Sequence, residues 1–195
     1  MKRTADIERI TSETRIQASL ALDGQGVAKI NTGVPFFDHM LTLMTHHGFF
    51  DMTIEATGDL EVDAHHTVED VGLVLGDAFD QALGDRAGIR RYGYAVTPMD
   101  DALASVAVDL SKRPYLVYNV ADRPGSPNHF SSGLAKEFFR AFATRGGMNL
   151  HINLAYGDDR HHILEAIFKS VGRSLDEATG PDPRIRGVRS TKGRI

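Results

Sequence analysis

An internal repeat constrains the fold of this chain more than any other feature of its sequence. Residues 65–69 (HHTVE) are echoed 96 positions later by residues 161–165 (HHILE), and Gly76 is matched by Gly172 at the same spacing. Self-similarity at a fixed period indicates that one supersecondary unit has been duplicated. The chain is therefore expected to contain two copies of one arrangement of strands and helices.

The hydrophobic periodicity predicts the same order of elements in both halves. In the first half, strands are predicted near 15–22, 26–31 and 52–56, and helices at 35–47 and 65–83. In the second half, strands are predicted near 94–96, 103–110, 115–120 and 150–155, and helices at 133–144 and 161–178. This order predicts an α+β fold in which each half places its helices on one face of a sheet. We expect the halves, residues 1–92 and 93–195, to share one core, with the second half also carrying a substrate-binding tail.

The composition narrows the possible functions. The 195 residues include no cysteine, so any metal ion must be held by histidine or acidic side chains. The net charge of -4 argues against nucleic-acid binding. No apolar run approaches the roughly 18 residues of a membrane span, and the first residues lack the apolar core of a secretion signal. The sequence therefore predicts a cytoplasmic protein that binds a small molecule, with no nucleic-acid or membrane partner.

Helical geometry gives the repeated motif a separate ligand face. At about 100° per residue, Glu69 lies about 40° from His65, so these two side chains project together, while His66 points to one side. Apolar residues occupy the opposite arc: Val68, Val71, Leu75, Ala78, Phe79 and Ala82. One histidine and the following carboxylate can chelate one ion while the adjacent histidine reaches another, a donor set that suits Mn, Fe, Zn or Ni.

The alternative interpretation is that one such histidine pair is a surface or partly buried polar pair, but its duplication with Glu at the same offset favours metal binding. His39 alone could simply cap a helix. Aligning Gly48 with Gly146 places His39 opposite Glu137, so each half would offer a ligand in its first helix. Weaker candidates are Asp38, His46, His47, His129 and His151.

These residues resemble the imidazoleglycerol-phosphate dehydratase family over nearly the whole chain. The motifs that carry the resemblance are 37–41 (FDHML), 63–70 (DAHHTVED), 161–169 (HHILEAIFK) and 189–193 (RSTKG). The resemblance implies a fold like domain 2 of a small-subunit ribosomal protein, two manganese(II) ions per subunit bound at subunit interfaces, and a 24-subunit shell. It also implies a hydro-lyase of histidine biosynthesis, which converts D-erythro-imidazoleglycerol phosphate to imidazoleacetol phosphate and water.

The resemblance also implies roles for individual residues. The metal ligands would be His39, His65, His66, Glu69, His161, His162 and Glu165, and the alignment of the two halves adds Glu137. The substrate-binding residues would be His47, Arg91, Arg113, Lys169, Ser190 and Lys192. Glu13 resembles the family's mobile acid/base carboxylate, and Glu69 and Glu165 are further catalytic candidates. The family often has histidine at the position of Glu137, which could instead be an exposed helix residue beside Lys136 and Arg140.

Two other function classes fit a pair of metal ions. A dinuclear metal-dependent phosphatase or other hydrolase would use the ions to activate water and would release phosphate. A metal-storage protein or scaffold would bind metal without turning over any substrate. The presence of both His-His-x-x-Glu copies together with the basic tail favours the dehydratase over either alternative.

Overall fold

The computed structural model describes residues 3–121 and 130–195. The strands within these residues are β1 (Thr4–Ile10), β2 (Thr14–Ala21), β3 (Ala28–Asn31), β4 (Asp51–Gly58), β5 (Tyr92–Met99), β6 (Ala102–Asp109), β7 (Tyr115–Asn119) and β8 (Asn149–Tyr156). The helices are α1 (Pro35–His47), α2 (His65–Leu83), α3 (Ser132–Arg145) and α4 (Arg160–Thr179). None of the helices within the described part of the chain is long and apolar enough to span a membrane.

The strands form two four-stranded sheets with the same topology. Their orders are β1-β2-β4-β3 and β5-β6-β8-β7. In each sheet the last-named strand pairs parallel with its neighbour, whereas the other pairs are antiparallel. The predicted α+β fold with an internal duplication is confirmed.

The helix boundaries follow from local sequence signals. Pro35 occupies the first turn of α1, where its missing N–H costs no helical hydrogen bond. The Ser131 side chain accepts from the backbone N–H of Leu134 and caps α3, and Asp159 caps α4. The predicted bounds of α1 and α2 are confirmed, while α3 and α4 each begin one residue earlier and end one residue later than predicted.

Strand β1 was not predicted from the sequence. Its side chains alternate between a more exposed and a less exposed face, but only Ala5 is buried. Most of the other side chains are polar or charged. The strand is instead specified by its pairing with β2, which extends from Thr4 opposite Ala21 to Ile10 opposite Arg15. Tertiary pairing therefore creates a strand where the local hydrophobic pattern is weak.

Helices of opposite halves pack against each other, α1 against α4 and α2 against α3. At the first crossing, a Cβ atom on Gly172 would lie 2.3 Å from the carbonyl oxygen of Met44. At the second, a Cβ on Gly76 would lie 2.7 Å from the carbonyl oxygen of Phe142. The two crossings are equivalent, because Gly48 and Gly146 end the helices in contact. Buried residues of both halves consequently form one hydrophobic cluster.

Candidate metal centre

The crossing of α1 and α4 brings three potential metal ligands together. His39 Nε2 lies 3.1 Å from Glu165 Oε1, and His161 Nε2 lies 2.9 Å from the same oxygen. The three ligand atoms all lie within 4.8 Å of one another. His39 comes from the first half and the other two residues from the second. The cluster therefore depends on the exchange of helix partners, that is, on the packing of each helix against a helix of the other half.

Glu165 is a buried carboxylate held in its charged form. Burial by itself raises its pKa, but hydrogen bonds from Lys169, His39 and His161 outweigh that effect and lower the pKa to about 2. The ammonium nitrogen of Lys169 lies 2.6 Å from Glu165 Oε2. A charged oxygen beside two imidazoles is a donor set that suits a divalent transition metal.

His162, beside this cluster, is oriented by acidic residues of the β5–β6 turn. Its Nδ1 lies 2.6 Å from Asp101 Oδ1, and its Nε2 lies 3.3 Å from Asp100 Oδ2. The hydrogen bond to Asp101 raises the pKa of His162. Asp101 is itself fixed, because its second oxygen accepts from the backbone N–H groups of Asp158 and Asp159.

The equivalent residues on α2 form a more open arrangement. His65 Nε2 lies 3.7 Å from Glu69 Oε2. His66 Nδ1 lies 2.9 Å from Asp59 Oδ2, a hydrogen bond that raises the pKa of His66. The carboxylate of Glu13, on the β1–β2 turn, is 3.9 Å from the same histidine nitrogen.

Glu137 lies on α3 and is linked to α2 through Arg140. Its carboxylate pairs with Arg140, whose guanidinium also lies 3.5 Å from Glu69 Oε1. The side chain of Glu137 is 22% exposed, less than the side chains of Arg140 and Glu69. One cation thus bridges carboxylates of α2 and α3, and His65, Glu69 and Glu137 do not form a group as compact as the one around Glu165.

A basic cleft of about 510 Å³ lies between the start of β5 and the C-terminal tail, residues 189–192. It is lined by Arg91, Tyr92, Arg113, Arg189, Ser190, Thr191 and Lys192. The buried Arg91 donates from Nε to Asp109 Oδ1 at 2.6 Å and from Nη1 to the carbonyl of Arg189 at 2.6 Å. The hydrogen bond with Asp109 raises the pKa of Arg91. This cleft can bind an anion with cationic side chains that are partly fixed in advance.

The other predicted site residues lie around these centres. His47 ends α1, where burial, followed by the nearby Lys169, lowers its pKa. Asp38, a weaker candidate, accepts hydrogen bonds from the backbone N–H and the hydroxyl of Thr32, which explains it structurally. His151 is exposed on β8, and His129 lies outside the described residues.

Three acidic residues that orient site residues were missed in the sequence. Asp59 holds His66, Asp101 holds His162, and Asp109 holds Arg91. Each is distant in sequence from its partner or lies in a turn where acidic residues are common. Only the arrangement of strands and turns brings them to the site.

Comparison with known proteins decides the family. The family model for imidazoleglycerol-phosphate dehydratase matches residues 32–175. The chain belongs to this family. An imidazoleglycerol-phosphate dehydratase of Desulfosudis oleivorans is 58% identical over 195 residues, which is all of both chains. That of Trichlorobacter lovleyi is 61% identical over 193 residues, 99% of each chain.

Solved structures of the family share this fold. Imidazoleglycerol-phosphate dehydratase of Pyrococcus furiosus, in complex with (S)-C348, matches with a TM-score of 0.85 and 38% identity, covering 97% of this chain and 100% of the other. The Staphylococcus aureus enzyme matches with a TM-score of 0.83 and 38% identity, covering 92% of this chain and 99% of the other. Family membership thus rests on both sequence and fold.

Proposed function

We propose that this chain dehydrates imidazoleglycerol phosphate in histidine biosynthesis, with two manganese(II) ions per subunit. The observation that carries the proposal is the convergence of His39, His161 and Glu165, which joins ligands of both repeat halves in a chain of this family. The proposed ligands are His39, His65, His66, Glu69, Glu137, His161, His162 and Glu165.

The donor chemistry fits a divalent ion. Neutral imidazole nitrogens and carboxylate oxygens are the available ligands in a chain without cysteine, and manganese accepts both. A bound ion would act as a Lewis acid toward the substrate's imidazole ring, lowering the pKa of the ring N–H. Lys169 keeps the Glu165 carboxylate charged, and we assign Lys169 and His47 to the surroundings of the substrate.

The orienting aspartates support roles for His66 and His162. A carboxylate beside Nδ1 favours the tautomer with hydrogen on that nitrogen, which leaves Nε2 as the ligand atom. Asp59 and Asp101 lie in these positions, at 2.9 and 2.6 Å. The two halves therefore use the same device with carboxylates from different loops, and at Nε2 of His162 an ion would replace the present contact with Asp100.

Glu13 is our assignment for the acid/base carboxylate. The ring electrons expel the hydroxyl on the neighbouring carbon, and the hydrogen on the next carbon then leaves as a proton that a carboxylate can accept. The Glu13 side chain is 53% exposed and lies near His66, so it is free to reach a substrate. The enol left by these two steps becomes the ketone of imidazoleacetol phosphate by tautomerisation.

The basic cleft is our assignment for the phosphate of the substrate. Arg91 is fixed by Asp109. Arg113 is 65% exposed and lies 3.9 Å from the same carboxylate, so its guanidinium can also turn toward an anion. Ser190 and Lys192 contribute from the tail. Holding the phosphate at the far end of a short substrate would position its ring for the reaction.

We further propose that the chain assembles into a shell of 24 subunits in the cytoplasm. Exposed aromatic side chains of the second sheet offer surface for self-association: Tyr92, Tyr94, Tyr115 and Tyr156. Light scattering coupled to gel filtration would measure the assembly, and a monomer or dimer at micromolar concentration would contradict this part of the proposal.

One assay tests the activity against the hydrolase alternative. The protein is loaded with manganese and given imidazoleglycerol phosphate, and both the enolisable ketone and free phosphate are measured. Ketone without phosphate is expected, and chelation should abolish its formation. Phosphate release would favour the phosphatase, whereas metal binding without either product would favour a storage protein or scaffold.

A further inference from the structure

The β1–β2 turn that carries Glu13 is attached to the metal-binding helix α2 by a buried aspartate. The hydroxyl of Thr14 donates to Asp70 Oδ2 at 2.5 Å. On the preceding strand, Arg9 Nε lies 3.1 Å from Asp70 Oδ1. Asp70 and Thr14 are only 8% and 4% exposed, so this contact is shielded from water. Both ends of the turn are therefore connected to one carboxylate.

The backbone of the turn is fixed as well. Thr11 Oγ1 accepts from the backbone N–H groups of Glu13 at 3.1 Å and Thr14 at 2.9 Å. The carbonyl of Glu13 accepts from the N–H of Asp59 at 3.2 Å, and Asp59 in turn holds His66. The Glu13 main chain is thus held while its exposed side chain keeps its freedom.

The repeat supplies an independent argument that Asp70 serves this turn. The motif around Glu69 recurs around Glu165, but the position equivalent to Asp70 is Ala166. In the second half, the β5–β6 turn contains Asp100 and Asp101 and is bound to His162 instead. An acidic residue after the motif glutamate therefore occurs only in the half whose turn carries Glu13.

We propose that Asp70 is a positioning residue, which sets the place of the Glu13 carboxylate relative to the ions through Thr14 and Arg9. The inference rests on the proposed acid/base role of Glu13. Asp70 lies beside Glu69 on α2. A shift of this metal-binding helix would therefore move the turn with it. A displacement of about 1 Å of a catalytic group can reduce the rate by about a hundredfold.

The test removes the contact without changing the size of either side chain. Thr14→Val deletes the hydroxyl that donates to Asp70, and Thr14→Ser retains it. We expect Thr14→Val to lower kcat about tenfold to a hundredfold, with KM within twofold and both ions retained, and Thr14→Ser to restore most of kcat. Asp70→Asn, a second variant of unchanged volume, removes the negative charge beside Arg9 and should also lower kcat.

The matched control is Thr179→Val, which also removes a buried threonine hydroxyl, but one that donates only within its own helix, to the carbonyl of Asp176. Its kcat should stay at the wild-type value. Unchanged kcat in Thr14→Val and Asp70→Asn would overturn the inference, as would a loss of metal, a rise in KM alone, or equal losses in the Val and Ser variants.

A parallel measurement on Glu13→Gln separates this inference from the proposed function. A wild-type rate in Glu13→Gln would refute the role of Glu13 itself. A low rate in Glu13→Gln together with normal rates in the Thr14 and Asp70 variants would refute only the positioning role.

Discussion

Replacing Glu137 distinguishes a metal ligand from a surface charge. In the equivalent helix of the other half, His39 occupies this position and contacts Glu165 at 3.1 Å. Glu137 instead shares Arg140 with Glu69. We expect Glu137→His to keep two ions and appreciable activity, because imidazole can replace carboxylate as a ligand. Glu137→Leu should lose one ion and most turnover, because leucine offers no donor atom.

The two interpretations predict falls in Tm for Glu137→Leu that differ severalfold. At a free manganese concentration of a hundred times Kd, one ion stabilises the fold by about 2.7 kcal/mol. Loss of a ligand should weaken the site by more than the roughly hundredfold that loss of a supporting residue can cause, so the ion would be mostly absent and contribute less than about 0.4 kcal/mol. The difference lowers Tm by roughly 5–9 °C for a chain of this length. Loss of an exposed i,i+3 pair is worth a few tenths of a kcal/mol, or about 1 °C.

Elemental analysis would measure the metal content, and calorimetry at a fixed concentration of free manganese would measure Tm. The matched control is Asp77→Leu, which removes another α2–α3 ion pair, the one with Arg145 at 2.8 Å, without touching a proposed ligand. The control should retain both ions and shift Tm only slightly. If Glu137→Leu behaves like Asp77→Leu in metal content, Tm and turnover, Glu137 is a surface charge and the reasoning from the repeat is refuted.

Three further perturbations test other parts of the molecule. Lys192→Ala should raise KM strongly with unchanged metal content, since it removes a phosphate contact and no ligand; unchanged KM in steady-state kinetics would exclude that contact. Gly172→Ala should cost about 1–3 kcal/mol in urea unfolding and weaken metal binding, because the new Cβ would lie 2.3 Å from the Met44 carbonyl and push α1 from α4; wild-type stability would contradict that geometry. Backbone N–H groups of Gln25 and Val27 lower the pKa of Asp51, so its contribution is present above the unfolded pKa of 3.8 and lost as pH falls through the lower folded value. Metal-free Asp51→Asn should therefore lose less stability between pH 7 and 3 than the wild-type chain, and equal losses in unfolding titrations would refute this.

The sequence predicted those parts of the fold that have strong local patterns. Both first-half helices, Pro35–His47 and His65–Leu83, have the predicted bounds because an apolar stripe, a proline and terminal glycines agree there. Strand β1 was missed because its side chains are mostly polar and its partner is selected by pairing with β2. Local propensity does not identify a strand that has so few buried apolar side chains.

The candidate site was predictable where chemistry repeats along the chain. The two His-His-x-x-Glu copies were recognisable because they have the same internal spacing. The alignment of the glycines identified Glu137 as the counterpart of His39. Asp59 and Asp70 gave no such signal, since each contacts its partner only after β1, β2 and β4 have formed a sheet beside α2. A single acidic residue in a loop or on a helix is too common to identify an orienting role from sequence.

The exchange of helix partners explains why the duplication matters for the chemistry. If each half packed its helices only on its own sheet, His39 would have no route to Glu165, 126 positions away, and the cluster would lack a ligand. The close approaches at Gly76 and Gly172 make the exchange possible, because any side chain there would meet the backbone of the crossing helix. The equivalent crossing of α3 with α2 brings Arg140, which pairs with Glu137 on its own helix, to Glu69. Two similar halves thus give a compact group around Glu165 and a more open equivalent around Glu69. The turns of the two sheets differ, so Glu13 lies beside only the open group.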